Sequence, residues 1–135
     1  MKLFATIRSN KKELLLIIIL LLIAGVSHGY NMFQFPYFEN DEGSYSSYAW
    51  SLLTEGKLSP YTYWYDHAPA GWILIALWAF VTGGFFTFGF SLNSGRVLML
   101  LLHILSSLFL YFIAKRFTKS QWVGALSVII FSLSF

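Results

Sequence analysis

The chain contains no cysteine, only three prolines and few charged residues. The lack of cysteine excludes disulfides, zinc–thiolate sites and thiol nucleophiles. Charged residues make up 11% of the sequence, whereas soluble domains carry about 25%. Hydrophobic residues make up 57% and aromatic residues 20% of the 135 positions. This composition predicts a membrane protein, and the lack of a basic polar face argues against nucleic acid as a partner.

The few charges are segregated along the chain. Two basic groups stand at Lys2, Arg8, Lys11 and Lys12 and again at Lys115, Arg116 and Lys119. Most of the acidic residues fall between them, at Glu39, Asp41, Glu42, Glu55 and Asp66. Cytoplasmic loops of membrane proteins carry an excess of Lys and Arg. The pattern therefore predicts cytoplasmic basic segments at 1–13 and 115–120, and an acidic loop outside the cytoplasm at 33–94.

Three apolar segments are predicted to enter the bilayer. Residues 14–32 form a segment close to the roughly 20 residues that a membrane-crossing helix needs. A cleaved signal peptide is the alternative for this segment, but no clear small-residue cleavage site follows it. Residues 95–114 form the second predicted transmembrane helix. Residues 121–135 form the start of a third that the chain leaves incomplete, so we expect a fragment of a longer protein.

The outside loop contains a predicted surface helix at 41–55. Apolar residues recur at the spacing of one helical stripe at Tyr45, Tyr48, Ala49, Leu52 and Leu53. Asn40 or Asp41 can cap its start, and Gly56 can end it. The helix is too polar to span a bilayer, so we expect it to lie along the membrane surface with this stripe towards the lipid.

The segment at 70–83 admits two interpretations. It is too short to cross a bilayer and suits an interfacial or re-entrant helix. Extended through Phe90, it would be just long enough to cross. Crossing would place Lys115 and Arg116 outside, against the tendency of positive loops to stay inside. We therefore predict that it does not cross. The predicted fold is an all-α polytopic membrane protein with amphipathic juxtamembrane helices in its outside loop.

Most ionisable residues that do not set topology gather in or beside this loop. They are Asp41 and Glu42 at the start of the surface helix, Asp66 and His67 before a proline turn, and Arg96 at the start of the next span. Each also has a purely structural interpretation. Acids favour the first helical turn because of the helix dipole, His67 can be a turn residue, and Arg96 can anchor to lipid headgroups. His103, inside a span, is expected to hydrogen-bond between helices.

Taken together, these motifs resemble the GT-C class of membrane glycosyltransferases. The segment "DEGSYSSYAWSLLTEGKLSP" is similar to the DE-x-x-Y opening of glycosyltransferase family 39, and "YDHAPAGWILIALW" to its Tyr-acid-His/Lys-Pro-Pro turn. "SGRVLMLLLHILSSLFLYFIAKRF" resembles its arginine-started span. The family includes protein O-mannosyltransferases and aminoarabinose transferases that modify lipid A. Ala68 stands in place of the first proline of the usual turn.

The resemblance implies roles for six residues. Asp41 is the candidate base, and Glu42, the second catalytic residue, would orient the site or bind the acceptor. His67 and Arg96 are candidates for binding the donor phosphate. Tyr45, the tyrosine of the opening motif, and Asp66 are assigned to the substrate pocket.

The function that the resemblance implies is transfer of a sugar from a polyprenyl-phosphate carrier to a protein, lipid or glycan acceptor outside the cytoplasm. The protein would be a multi-pass component of the plasma membrane and cell envelope, and this fragment alone is expected to be inactive. No cofactor is predicted, although the adjacent acids could supply oxygen ligands to a divalent cation. The alternative is a non-catalytic small membrane subunit or assembly factor.

Overall fold

The structure is a computed structural model that describes residues 11–58 and 68–133, apart from the side chain of Asn40. This part of the chain is helical and contains no strand. Five helices follow one another: α1 (Lys11–Gly29), α2 (Asn40–Glu55), α3 (Ala70–Thr82), α4 (Ser91–Thr118) and α5 (Gln121–Leu133). Two of them, α1 and α4, are long and apolar enough to cross a membrane.

The chain divides into two compact units. The first contains α1, the part of α4 from Leu100 onwards, and α5. The second runs from Asn31 to Met99 and contains α2, α3 and the first turns of α4. α4 continues to Thr118, so Lys115 and Arg116, which we expected in a loop, lie in its last turns.

The three helices of the first unit run alternately up and down. Near the start of α1, Glu13 accepts a hydrogen bond of 3.0 Å from the hydroxyl of Tyr111 on α4. At the other end of α1, a Cβ atom placed on Gly29 would lie 3.3 Å from the side chain of Leu100. The start of α1 thus contacts the later part of α4, and the end of α1 contacts Leu100 in its earlier part. The two helices are therefore antiparallel.

α5 packs against α1 and runs in the same direction. Its early residue Gly124 lies against Tyr111, and a Cβ atom there would come within 2.9 Å of the Tyr111 carbonyl oxygen. Near its end, the Ser132 carbonyl accepts a 3.0 Å hydrogen bond from His28 Nε2. The apolar core of this unit consists of Ile17, Leu20, Tyr111, Ala125 and Val128.

The second unit is built on the packing of α2 against α3. Trp72 of α3 is fully buried, and its ring centroid lies 4.9 Å from that of Tyr48 and 5.9 Å from that of Tyr45. Ala49 is also fully buried. The apolar stripe of α2 is therefore covered by α3, whereas we expected it to face the lipid. The aromatic side chains on α2 find their partner within the protein.

Glycines in the left-handed conformation end both helices of this pair. Gly56 follows α2 with φ 66°, and Gly83 follows α3 with φ 94°. Residues with a side chain rarely adopt such values, and glycine does so without strain. α2 begins one residue earlier than predicted, at Asn40, and its N-cap is Glu39, whose side chain makes no capping hydrogen bond. Asn40 and Asp41 therefore lie inside the first turn and do not cap it.

Candidate functional site

The candidate site lies in the second unit, where the first turn of α2 meets the first turns of α4. The side chain of Arg96 is only 7% exposed and pairs with that of Glu42, which is 33% exposed. Arg96 Nε donates to Glu42 Oε1 at 3.1 Å, and Nη2 donates to Oε2 at 2.8 Å. This two-point contact is the geometry in which a guanidinium binds a carboxylate most strongly.

Two further contacts fix the guanidinium. Arg96 Nη1 donates a 2.6 Å hydrogen bond to the carbonyl oxygen of Met32. The ring of Phe38 lies beneath the guanidinium, with 4.4 Å between the Arg96 Cζ atom and the ring centroid. A cation over an aromatic face is stabilised by the negative charge density of the ring. The segment between α1 and α2 therefore takes part in holding Arg96.

A cavity of about 230 Å³ adjoins this ion pair. Its polar wall comes from α2 and α4, through Asp41, Glu42, Tyr45, Ser46 and Arg96. Its remaining walls are largely apolar, with Ile75, Leu92 and Met99 among the lining residues. A mostly apolar cavity lined by a few charged side chains suits an amphipathic ligand better than a fully polar one.

Asp41 differs from Glu42 although the two are adjacent. The side chain of Asp41 is exposed, and in the described part of the chain it has no ion pair or hydrogen bond. Its position in the first turn of α2 places it near the positive end of the helix dipole. Asp41 is thus the carboxylate at the cavity whose lone pairs remain open to an incoming group.

The structure brings together four of the six residues predicted from the sequence. Asp41, Glu42, Tyr45 and Arg96 all line the cavity. Asp66 and His67 lie outside the described residues, so their predicted roles stay predictions. Glu42 and Arg96, predicted for separate tasks, bind each other in this structure. No group of three or more His, Cys, Asp or Glu that could hold a metal ion occurs within residues 11–58 and 68–133.

Three contributors to the site were missed from the sequence. Ser46 lies four residues after Glu42, so helical spacing could have found it. Phe38 and the Met32 carbonyl precede α2 and meet Arg96 across 58 and 64 positions of sequence. A single sequence holds no local signal for contacts of that range.

His103 on α4 differs from expectation. His103 packs its ring against that of His28 at 3.8 Å between centroids and stacks on Phe131 at 4.9 Å. Its Nε2 atom is buried and has no hydrogen-bond partner among the described residues. The hydrogen bond between helices is made by His28, to Ser132. His103 therefore contributes ring packing to the first unit.

The chain was compared with known families, proteins and structures. It matches no family model, no curated protein and no solved structure.

Proposed function

We propose that the chain is the N-terminal part of an integral-membrane glycosyltransferase that takes a sugar from a polyprenyl-phosphate carrier. The observation that carries the proposal is the cavity shared by an open carboxylate, Asp41, and a buried guanidinium, Arg96. Displacement at an anomeric carbon needs a base on one side and a cation near the departing phosphate on the other. The motif resemblance to glycosyltransferase family 39 supports the same assignment.

The membrane placement of the proposal rests on α1 and α4. Each is long and apolar enough to cross a bilayer, and each exposes large aliphatic side chains such as Leu22 and Leu105. α4 has 28 residues, and a helix of that length extends about 42 Å, compared with roughly 30 Å of hydrocarbon. The excess can carry Arg96, near its start, beyond the hydrocarbon to the level of a lipid phosphate.

In the proposed reaction Asp41 removes the proton from an acceptor hydroxyl. The acceptor oxygen forms a bond to the anomeric carbon while the bond from that carbon to the phosphate oxygen breaks, and the carrier phosphate leaves. Arg96 would stabilise the charge that develops on the phosphate, because guanidinium suits phosphate as well as carboxylate. For this, the phosphate takes the place of Glu42 on Nε and Nη2. Glu42 is then free to orient the acceptor, and Tyr45 lines the pocket beside it.

The test is replacement of Asp41 by Asn in the complete membrane protein. Asn keeps the shape of the side chain but cannot accept the proton, so we expect transfer from a polyprenyl-phosphate-linked sugar to fall by at least about 100-fold. Transfer is measured with radiolabelled donor in isolated membranes. Glu39→Gln is the matched control, since Glu39 is also an exposed acid at this helix terminus but does not line the cavity. Equal turnover by Asp41→Asn and wild type would remove Asp41 as the base.

A non-catalytic membrane subunit is the second candidate, and one observation favours it. The Nε and Nη2 groups of Arg96 are already paired with Glu42, so a structural pair explains them without a phosphate. This candidate predicts that neutral replacements of Asp41 leave the function of the assembled complex unchanged. The same Asp41→Asn and Glu39→Gln pair therefore separates the two candidates.

A further inference from the structure

The direction of the helices in the first unit limits where α3 can lie. α1 and α4 are antiparallel, as the Glu13–Tyr111 and Gly29–Leu100 contacts show. If both cross a bilayer, the chain between them leaves and re-enters on the same side. α3 has 13 residues and extends about 20 Å, less than the roughly 30 Å of hydrocarbon. α3 therefore makes no net crossing.

The two faces of α3 have different surroundings. One face is buried through Trp72, Ile75, Ala76 and Ala79, and α2 packs against this helix. The opposite face is exposed although its side chains are large and apolar: Ile73, Leu77, Phe80 and Val81. Leu77 is 57% exposed and Phe80 is 70% exposed. A soluble monomer rarely leaves such a contiguous apolar surface in water.

From α3 to the start of α4 the sequence carries no charge that would attract a polar protein partner. No charged residue occurs from Ala68 to Gly95. The link from α3 to α4 adds the exposed rings of Phe86 and Phe90. Protein–protein interfaces surround their apolar centre with a polar rim, whereas no charged side chain occurs on α3 or on its link to α4. The short link also keeps α3 close to the start of α4, which is one of the two candidate spans.

We propose that α3 is the membrane-contacting layer of the second unit, with its exposed apolar face embedded among lipid acyl chains. The face consists of Ile73, Leu77, Phe80 and Val81, and its partner is the leaflet that the chain enters after α1. α2 packs on the other side of α3 and is held away from the lipid. The inference rests on α1 and α4 lying in a bilayer, and it is independent of the transferase activity.

The experiment places one nitroxide label at a time on the full chain in phospholipid nanodiscs. The chain lacks cysteine, so single replacements carry the label without background. Leu77→Cys and Phe80→Cys report on the proposed face, Leu22→Cys on α1 is the lipid reference, and Thr54→Cys at the end of α2 is the water reference. The measured quantity is the ratio of collisions with oxygen to collisions with a water-soluble nickel chelate. We expect this ratio to be severalfold higher at residues 77 and 80 than at residue 54.

Each outcome bears on a different part of the inference. The proposal is overturned if the labels at 77 and 80 are as accessible to the nickel chelate as the label at 54 while the label at 22 lies in lipid. The bilayer placement of α1 would survive that result. Shielding from both reagents would mean that a second copy or another protein covers the face, which also overturns the proposal. A label at 22 in water would contradict the bilayer placement itself.

A second experiment tests whether α3 crosses. Thr87→Cys and Thr54→Cys must react with a membrane-impermeant maleimide from the same side of the membrane, because reaction from opposite sides would show that α3 crosses.

Discussion

At the scale of single residues, Arg96 and Glu42 decide how the start of α2 is held. The guanidinium is nearly buried, forms a two-point contact with the carboxylate and rests on the ring of Phe38. Removing one partner of such a pair leaves the other charge without compensation, which is usually worse than removing both. As long as no phosphate takes the place of Glu42, the pair therefore joins the first turn of α2, which contains Asp41, to α4.

Glu42→Gln tests this role through stability. Gln keeps the size of the side chain but provides no charge for Arg96, so we expect the free energy of unfolding to fall by about 1–3 kcal/mol. The lower part of that range is the expectation, because Glu42 is one-third exposed and water screens the pair. Unfolding by a denaturing detergent, followed by tryptophan fluorescence, measures the change.

The control for this measurement is Glu39→Gln, which removes an exposed acid that makes no capping hydrogen bond. It should change the unfolding free energy by less than about 0.5 kcal/mol. Equal and small effects of both variants would show that the Glu42–Arg96 contact contributes nothing to the folded state.

Residue identities at the site were partly predictable. Asp41, Glu42 and Arg96 stand out because charged residues are rare in a chain of this composition. Tyr45 stands out only through its position in the DE-x-x-Y motif. Their mutual contacts were not predictable, because Glu42 and Arg96 are 54 residues apart. Which partner Arg96 takes depends on how α2 and α4 pack, and a single sequence does not encode that in any local pattern.

At the scale of helices, close packing depends on residues without side chains. Gly124 at the start of α5 lies against the backbone and ring of Tyr111. Any side chain there meets backbone atoms, which cannot move aside as a flexible side chain can. α5 can approach α4 this closely only because position 124 is glycine.

Gly124→Ala is therefore expected to destabilise the first unit. The new methyl group would lie 2.9 Å from the Tyr111 carbonyl oxygen, and overpacking of this kind costs about 1–3 kcal/mol. The same detergent titration measures it. Gly71→Ala on α3 is the matched control. Apart from neighbouring residues of its own helix, nothing lies within 4 Å of the point that a Cβ atom would occupy there, so alanine should be neutral or slightly stabilising. Equal effects of the two variants would contradict the close contact at Gly124.

Helix positions followed from the sequence better than helix orientation did. The spacing of Tyr45, Tyr48 and Ala49 predicts a helix and an apolar face, and α2 has both. The same spacing does not say what covers that face, because lipid and a neighbouring helix are equally apolar. Trp72, fully buried beneath the tyrosines, shows that the covering element is α3.

At the scale of the whole chain, the contacts of α1 with the part of α4 after residue 100 define an antiparallel pair. A Cβ atom on Gly25 would lie 3.3 Å from the Cδ1 atom of Ile104. Together with the contacts at Glu13 and Gly29, this gives three successive contacts along α1. The position of Lys115 and Arg116, together with the short length of the segment at 70–83, also predicted opposite directions for the two helices. Which ends face the cytoplasm stays a prediction.

Pairs of introduced cysteines test this arrangement. Gly25→Cys with Ile104→Cys should form a disulfide under mild oxidation, because both positions lie at the helix contact. Val26→Cys with Ile104→Cys is the control, since Val26 is exposed on the outer side of α1. Free thiols are counted by the mass added by a maleimide. Loss of thiols in the control pair but not in the first pair would contradict the arrangement.

The buried pair of Glu13 and Lys115 has a consequence for the order of biosynthesis. The two residues are separated by 102 positions, so the acid leaves the ribosome long before its partner exists. At roughly 5–20 residues per second, the delay is about 5–20 s. During that interval Glu13, near the start of α1, has neither Tyr111 nor Lys115 to contact. This end of α1 can therefore form its contacts with Tyr111 and Lys115 only after α4 has been synthesised.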